Sequence, residues 1–148
     1  MKTTVRSLAV LLFVFAAACA TQYRSIDDSV SGGFTETRLA PDMWRVRVEG
    51  NGFTRRDEAQ QFLFRRCAEL TLEQGKRYFL LEGHEAWTRV ELTSVGAVGS
   101  PADEAVMTVL DERNAHAFDA AEIIAQTNEA AGGRLSAPAK KTLAEIAR

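Results

Sequence analysis

Between residues 43 and 50 apolar and charged side chains alternate, with Trp44, Val46 and Val48 on one side and Arg45, Arg47 and Glu49 on the other. A period of two predicts a strand with one dry and one charged face. Residues 34–39 (FTETRL) also carry strand-forming types, and Ala40-Pro41-Asp42 between the two reads as a turn, because proline presets φ for a tight reversal. Gly50-Asn51-Gly52 then breaks the pattern, and the period lengthens. Over residues 54–75, Ala59, Phe62, Leu63, Cys67 and Leu70 form one helical stripe, and Phe64, Ala68 and Leu72 a second on the opposite side. A helix apolar on two faces is covered on two sides, here by a sheet and by the later helix. Thr54 with Asp57 three residues on is a capping-box-like start, and Gly75 is a stop. Arg66 falls within the first stripe and needs a partner, either Glu69 or an acid from a strand. It reads as a structural ion pair, or as an arginine whose stem covers apolar surface while its head reaches solvent.

Residues 76–82 (KRYFLLE) set Tyr78 and Leu80 against Phe79 and Leu81, apolar on both faces, which predicts a central strand. Residues 87–93 alternate Thr88, Val90 and Leu92 with Arg89 and Glu91, a half-exposed strand, and 83–86 is a bulge or turn between them. Residues 94–103 (SVGAVGSPAD) read as a loop and 105–110 (AVMTVL) as the last strand. Residues 119–131 predict a helix capped by Asp119, with Glu122 three on and Ala121, Ile124, Ala125 and Asn128 along one face; Gly132-Gly133 ends it. Residues 136–148 predict a short helix capped by Ser136, with Leu143 and Ile146 as its few apolar anchors, loosely docked.

The order β-β-α-β-β-β-α predicts an α+β fold, a small mixed or antiparallel sheet with the long amphipathic helix (54–75) and a second helix (119–131) packed on it. A right-handed crossover through the long helix would make strands 43–50 and 78–81 parallel; an antiparallel arrangement with an intervening strand is the alternative.

The N-terminus follows a different logic. Lys2 and Arg6 precede an apolar run from Leu8 to Ala18, and Cys19 follows directly. Eleven residues make about 16 Å of helix against about 30 Å of hydrocarbon, too short to span a bilayer and right for the core of a secretory signal. Ala16-x-Ala18 suits an ordinary signal peptidase, which would leave Cys19 as a plain N-terminal residue. Ala17-Ala18-Cys19 resembles the lipobox of bacterial lipoproteins, with Ala16 standing where leucine is usual. A cysteine at the cleavage point favours the second reading and makes Cys19 the predicted lipidation site. Its acyl chains would anchor the protein stably, at about 0.8 kcal/mol per buried CH2. Ala20 replaces the aspartate that retains such proteins in the inner membrane, so the resemblance implies the outer membrane, on its periplasmic face. The chain thus divides into a signal (1–18), a lipidated cysteine with a flexible tether (19–33), one α+β domain (34–131) and a C-terminal helix or tail (132–148). Residues 20–33 are polar and reach at most about 50 Å extended, or about 20 Å as a coil.

Charge narrows the function classes. The signal carries two of the eighteen basic residues and none of the twenty acids, leaving sixteen against twenty, a balance of −4. A mildly acidic chain without a basic block argues against nucleic-acid binding and against electrostatic membrane binding. With Cys19 lipidated, Cys67 is the one free thiol, so no disulfide staples the domain.

Candidate chemistry is sparse. Cys67 would need His84 or His116 as an adjacent base, yet it lies mid-helix on an apolar stripe, where cysteine acts as a small hydrophobe. No short metal-ligand spacing joins the two histidines, and no metal or cofactor is predicted. The Gly50-Asn51-Gly52 loop leading to the Thr54 helix start presents backbone N–H groups to a possible anion, but reads as a capped turn. Trp44 and Trp87 are candidates for lining a ligand cavity between sheet and helix.

The runs GGFTETRL, WRVRVEGNGFT, RRCAELTLEQG and YF resemble a family of short Gram-negative envelope lipoproteins of unknown function. The matching positions are Phe34, Gly50, Asn51, Gly52, Arg66, Glu69, Leu70 and Thr71; the likeness covers about a third of the chain and thins beyond Trp87. It implies the lipoprotein class and no reaction. Taken together, the expectation is a palmitate-bearing, lipid-anchored envelope protein with a non-enzymatic binding or assembly role. Its partners would be the membrane through the anchor and another envelope protein, with no nucleic acid. The alternatives are a small-ligand-binding module or a small envelope hydrolase.

Overall fold

The structure is a computed structural model, and it describes residues 23–29, 32–127 and 135–148. After a single 3-10 turn, Ile26–Asp28, come β1 (Gly33–Ala40), β2 (Met43–Glu49), α1 (Arg56–Glu73), β3 (Tyr78–Thr93), β4 (Gly96–Leu110), β5 (Phe118–Asp119), α2 (Ala120–Thr127) and α3 (Ala137–Ile146). The fold is α+β, a five-stranded sheet in the order β1-β2-β4-β3-β5 with every neighbouring pair antiparallel. Because β2 and β3 each run antiparallel to β4 between them, they run in the same direction. The crossover through α1 therefore skips one strand, which reconciles the two arrangements open to the sequence.

The alternation along β2 does what it predicts. Trp44, Val46 and Val48 are buried, while their charged neighbours lie on the uncovered face. Val46, Val48, Leu63, Cys67, Ala68, Leu72, Phe79 and Met107 meet in the core with no measurable exposure. α1 lies between the sheet and the pair α2 and α3, so both of its predicted stripes are covered. Its end is a glycine cap: Gly75 sits at φ 72°, its N–H donates to Leu72 O at 3.0 Å, and Lys76 N–H donates to Thr71 O at 3.0 Å. Glycine takes that left-handed conformation without the Cβ penalty, and the last carbonyls are satisfied.

Four expectations change. The start of α1 is not capped by Thr54 and Asp57. Glu58 accepts from Arg55 N–H at 3.3 Å, and Thr54 Oγ1 instead accepts from Asn51 N–H at 3.0 Å, closing the preceding loop. Residues 94–103 are not a loop: Ser94 and Val95 make a two-residue turn, and β4 begins at Gly96. β3 runs through the expected break as one strand with a bulge between Glu82 and Glu85, where Gly83 takes φ 60°. The bulge flips the side-chain parity, so Thr88, Val90 and Leu92 continue the face begun by Phe79 and Leu81, as their partners Pro101, Gly99 and Ala97 continue that of Met107. On α2 the buried positions are Ala120, Ile124 and Thr127, while Ala125 is exposed; Asp119 does cap it, accepting from Ala121 N–H at 2.9 Å. Asn128 and the expected end of this helix lie outside the described residues. Ser136 caps α3 as expected, accepting from Ala139 N–H at 3.4 Å. That helix docks chiefly through Ala139, which is fully buried, with Leu143 and Ile146 packed beside it.

β4 outruns its neighbour β2. The β2–β4 ladder ends at Glu49 opposite Ala102, and Gly50 N–H donates once more to Pro101 O at 2.8 Å. Residues 88–93 and 96–101 continue alone as a two-stranded arm, about 20 Å long at about 3.3 Å per residue.

Candidate functional site

The N-terminal segment is held by a buried charged cluster on α1. Tyr23 packs against Phe34 and Phe62, with ring centroids 5.0 and 5.4 Å away. Its hydroxyl donates to Glu69 Oε2 at 2.5 Å. Glu69 also receives Arg65 Nε at 2.8 Å on its other oxygen and Arg66 Nη1 at 3.1 Å. Arg65 is entirely buried, and its Nη1 donates to Ile124 O at 3.2 Å, tying α1 to α2. Arg66 grips Glu36 of β1 with two bonds, 2.5 and 2.9 Å, lies 5.0 Å from the Phe34 ring and reaches Glu73 at 3.3 Å. Ser136, the cap of α3, donates to the same Glu73 oxygen at 2.9 Å. One cluster therefore joins the N-terminal segment, β1, α1, α2 and the start of α3.

Its protonation states follow from the packing. Burial, reinforced by the Glu69 carboxylate, pushes the Tyr23 hydroxyl well above the ordinary phenol range. Burial works against the charge of Arg66, but the Glu36 bonds outweigh it and hold the guanidinium firmly protonated. The arginine in the apolar stripe thus has the two kinds of partner the sequence required, Glu69 and an acid from a strand. Sequence reasoning passed over Arg65, the guanidinium with no exposure at all, although Glu69 four residues on was a usable signal. It passed over Tyr23 as well, because nothing local distinguishes that residue from its polar neighbours.

The segment from Tyr23 joins the body, which corrects the tether expected to extend to Gly33. Phe34 N–H donates to Arg24 O at 2.9 Å, and Ser25 bridges Phe34 in parallel. A Cβ on Gly33 would stand 2.4 Å from Arg24 O, so this backbone approach requires glycine. Cys19 itself lies outside the described residues, four positions upstream of Tyr23.

The other candidate residues fall apart. Cys67 is fully buried, and burial pushes its thiol far above the usual range, away from the thiolate a nucleophile needs. His84 is engaged elsewhere: its Nε2 lies 2.7 Å from Asp103 Oδ1 and its ring meets Phe64 edge-on. Burial raises the Asp103 carboxyl and His84 opposes that rise. His116 is exposed in the loop before β5, its N–H bound to Asn114 Oδ1. No group of three or more metal-ligating side chains exists among the described residues. The Gly50-Asn51-Gly52 loop is closed on itself, with Phe53 N–H donating to Asn51 Oδ1 at 2.9 Å. Trp44 is buried in the core with the Arg38 guanidinium 5.3 Å from its ring, and Trp87 is half-buried beneath Arg47. A shallow depression of about 270 Å³ at the start of α1 is lined by Arg55, Asp57, Glu58 and Gln61, and there Arg55 and Asp57 pair with each other at 2.7 Å. Compared with known proteins, the chain matches no family model, no curated protein and no solved structure.

Proposed function

We propose that the chain is a lipid-anchored protein of the cell envelope, held through Cys19 at the periplasmic face of the outer membrane, with a non-enzymatic binding or assembly role. Two things support this reading. The first, which carries it, is the order of basic, apolar and small residues leading straight to Cys19. The second is the clamp on Tyr23, which bears on how such an anchor would hold the body. Only three residues separate Cys19 from a side chain packed against the core, a reach of at most about 14 Å. An anchor at Cys19 would therefore fix the body beside the bilayer, and the buried cluster would transmit that hold to three helices and the edge strand β1. The test is processing in a Gram-negative host. Globomycin should block maturation, radiolabelled palmitate should be incorporated, and Cys19→Ser should lose both the label and the membrane association. Release of a soluble, unlabelled product from the unchanged sequence would refute the anchor.

A further inference from the structure

Beyond its buried root at Ser100 and Pro101, the arm formed by residues 88–93 and 96–101 carries an apolar face that nothing among the described residues covers. On it Val90 stands opposite Gly99 and Leu92 opposite Ala97, in the same register as the core face of the sheet. Val90 is 62% exposed, Leu92 88% and Val95, in the turn at the tip, 91%. α1 stops short of this surface, since Arg56 at its start reaches Thr88 at the root of the arm, with Nη2 2.7 Å from Thr88 Oγ1. Phe53, 70% exposed, lies in the loop beside the arm, where a Cβ on the preceding Gly52 would fall 2.6 Å from the side chain of Val98, which alternates to the face opposite Ala97 and Gly99. Single exposed apolar residues are ordinary on a protein surface. A strand face with two cross-strand apolar pairs, an apolar tip and a neighbouring phenylalanine marks a contact surface.

The N-terminal chain says what it contacts. Gly33 pairs with Glu49, Glu49 with Ala102, and Gly50 with Pro101, so the start of β1 lies at the end of the sheet from which the arm leaves. Ser25 runs parallel to β1 at Phe34, so the chain before it heads toward that same end. From Tyr23 to Cys19 the chain spans at most about 14 Å, less than the roughly 20 Å of the arm. A bilayer holding Cys19 on that side therefore lies within about 14 Å of Tyr23, a distance comparable to the arm's own length. We infer that the apolar tip of the β3–β4 hairpin, Val90, Leu92 and Val95 with Phe53 beside it, enters the interfacial layer of the bilayer that holds the anchor. It acts as a second membrane contact and fixes the orientation of the domain. This rests on the proposed acylation of Cys19. The chemistry is that of interfacial side chains, apolar groups sinking into the headgroup–acyl boundary, without the basic surface that anionic-lipid attraction would need.

The test uses the full chain, expressed with its signal and purified from membranes. Val95→Cys places one reactive thiol at the tip, because Cys67 is fully buried and an acylated Cys19 has no free thiol. Val95 is almost wholly exposed, so the change removes no core contact. Glu112→Cys, in the exposed loop after β4, is the reference. Each is labelled with a polarity-sensitive fluorophore and reconstituted into phosphatidylethanolamine–phosphatidylglycerol vesicles containing a chain-spin-labelled lipid, and the N-terminal mass of the same sample is recorded. The expected result is a blue-shifted label at position 95, quenched at least about threefold more than that at position 112. Equal, water-like emission at both positions on an acylated, vesicle-bound protein overturns the arm contact and leaves the anchor standing. Quenching at position 95 without an acyl mass upholds the arm contact and refutes the anchor; an unacylated protein that fails to bind vesicles refutes both. Tip-to-tip energy transfer at position 95, with no lipid quenching, overturns the membrane contact in favour of a second copy of the chain.

Discussion

The Tyr23 hydroxyl meets the Glu69 carboxylate at 2.5 Å across forty-six residues of sequence, joining the first described residue of the chain to the middle layer of the fold. Glu69 is nearly buried and already holds two guanidinium groups, so Tyr23 completes its coordination. A charged hydrogen bond in such surroundings is worth about 1.5–3 kcal/mol. Tyr23→Phe should lower the stability of the protein in urea by about 2 kcal/mol. Tyr23→Ala, which also strips the packing on Phe34 and Phe62, should lower it by about 3–5 kcal/mol.

Arg65 and Arg66 are neighbours in sequence with different surroundings. Arg65 has no exposure and bonds to both Glu69 and the Ile124 carbonyl, whereas Arg66 is 12% exposed and faces three acids. Removing one partner of a fully buried pair leaves an uncompensated charge, a loss of about 3–5 kcal/mol. Arg65→Ala should therefore destabilise more than Arg66→Ala, for which about 1.5–3 kcal/mol is expected from lost charged hydrogen bonds. Denaturant midpoints at equal slope give the comparison directly, and the reverse ranking would sink it.

Alkaline pH should destabilise the protein through two separable contributions. The folded state raises both the Cys67 thiol and the Tyr23 hydroxyl, in each case chiefly through burial. A raised folded value means that the contribution to stability is intact below the unfolded value, about 8.5 for cysteine and about 10 for tyrosine, and is lost as pH rises beyond it. Each group should add about 1.4 kcal/mol per pH unit to the downward slope. Cys67→Ala should remove the component that begins near pH 8.5, and Tyr23→Phe the one that begins near pH 10. Stability curves between pH 8 and 11.5 that keep their slopes in both variants would contradict this.

Gly33→Ala should free the N-terminal segment without unfolding the domain. The new Cβ would stand 2.4 Å from Arg24 O and 2.9 Å from Ile26 N, both backbone atoms that a rotamer change cannot move aside. The Phe34 amide, which donates to Arg24 O, should then exchange with solvent about tenfold faster for each 1.4 kcal/mol of local stability lost, while amides in the middle of α1 keep their protection.

How far the sequence reached depends on whether a signal was local. β2 and α1 were readable because a buried face imposes its period on the chain, and Gly75 because a helix end needs a left-handed residue. The arm strand 96–101 reads as a loop because only its root is covered: Gly96, Ala97, Gly99 and Pro101 show no alternation, and their order comes from pairing with β3. The alternation of Val90 and Leu92 marks a face that no helix among the described residues reaches. The clamp was half visible. Arg66 and Glu69 sat together on one helix, while Tyr23 and Glu36 arrive from far along the chain, and no local pattern encodes such a meeting.

The direct test of the anchored-body account is the mass of the first tryptic peptide from membrane-extracted protein. Cleavage after Arg24 should release residues 19–24, beginning at Cys19 and carrying a diacylglyceryl thioether together with an amide-linked acyl chain. An unmodified peptide beginning at Cys19, or one still joined to the signal segment, would contradict it.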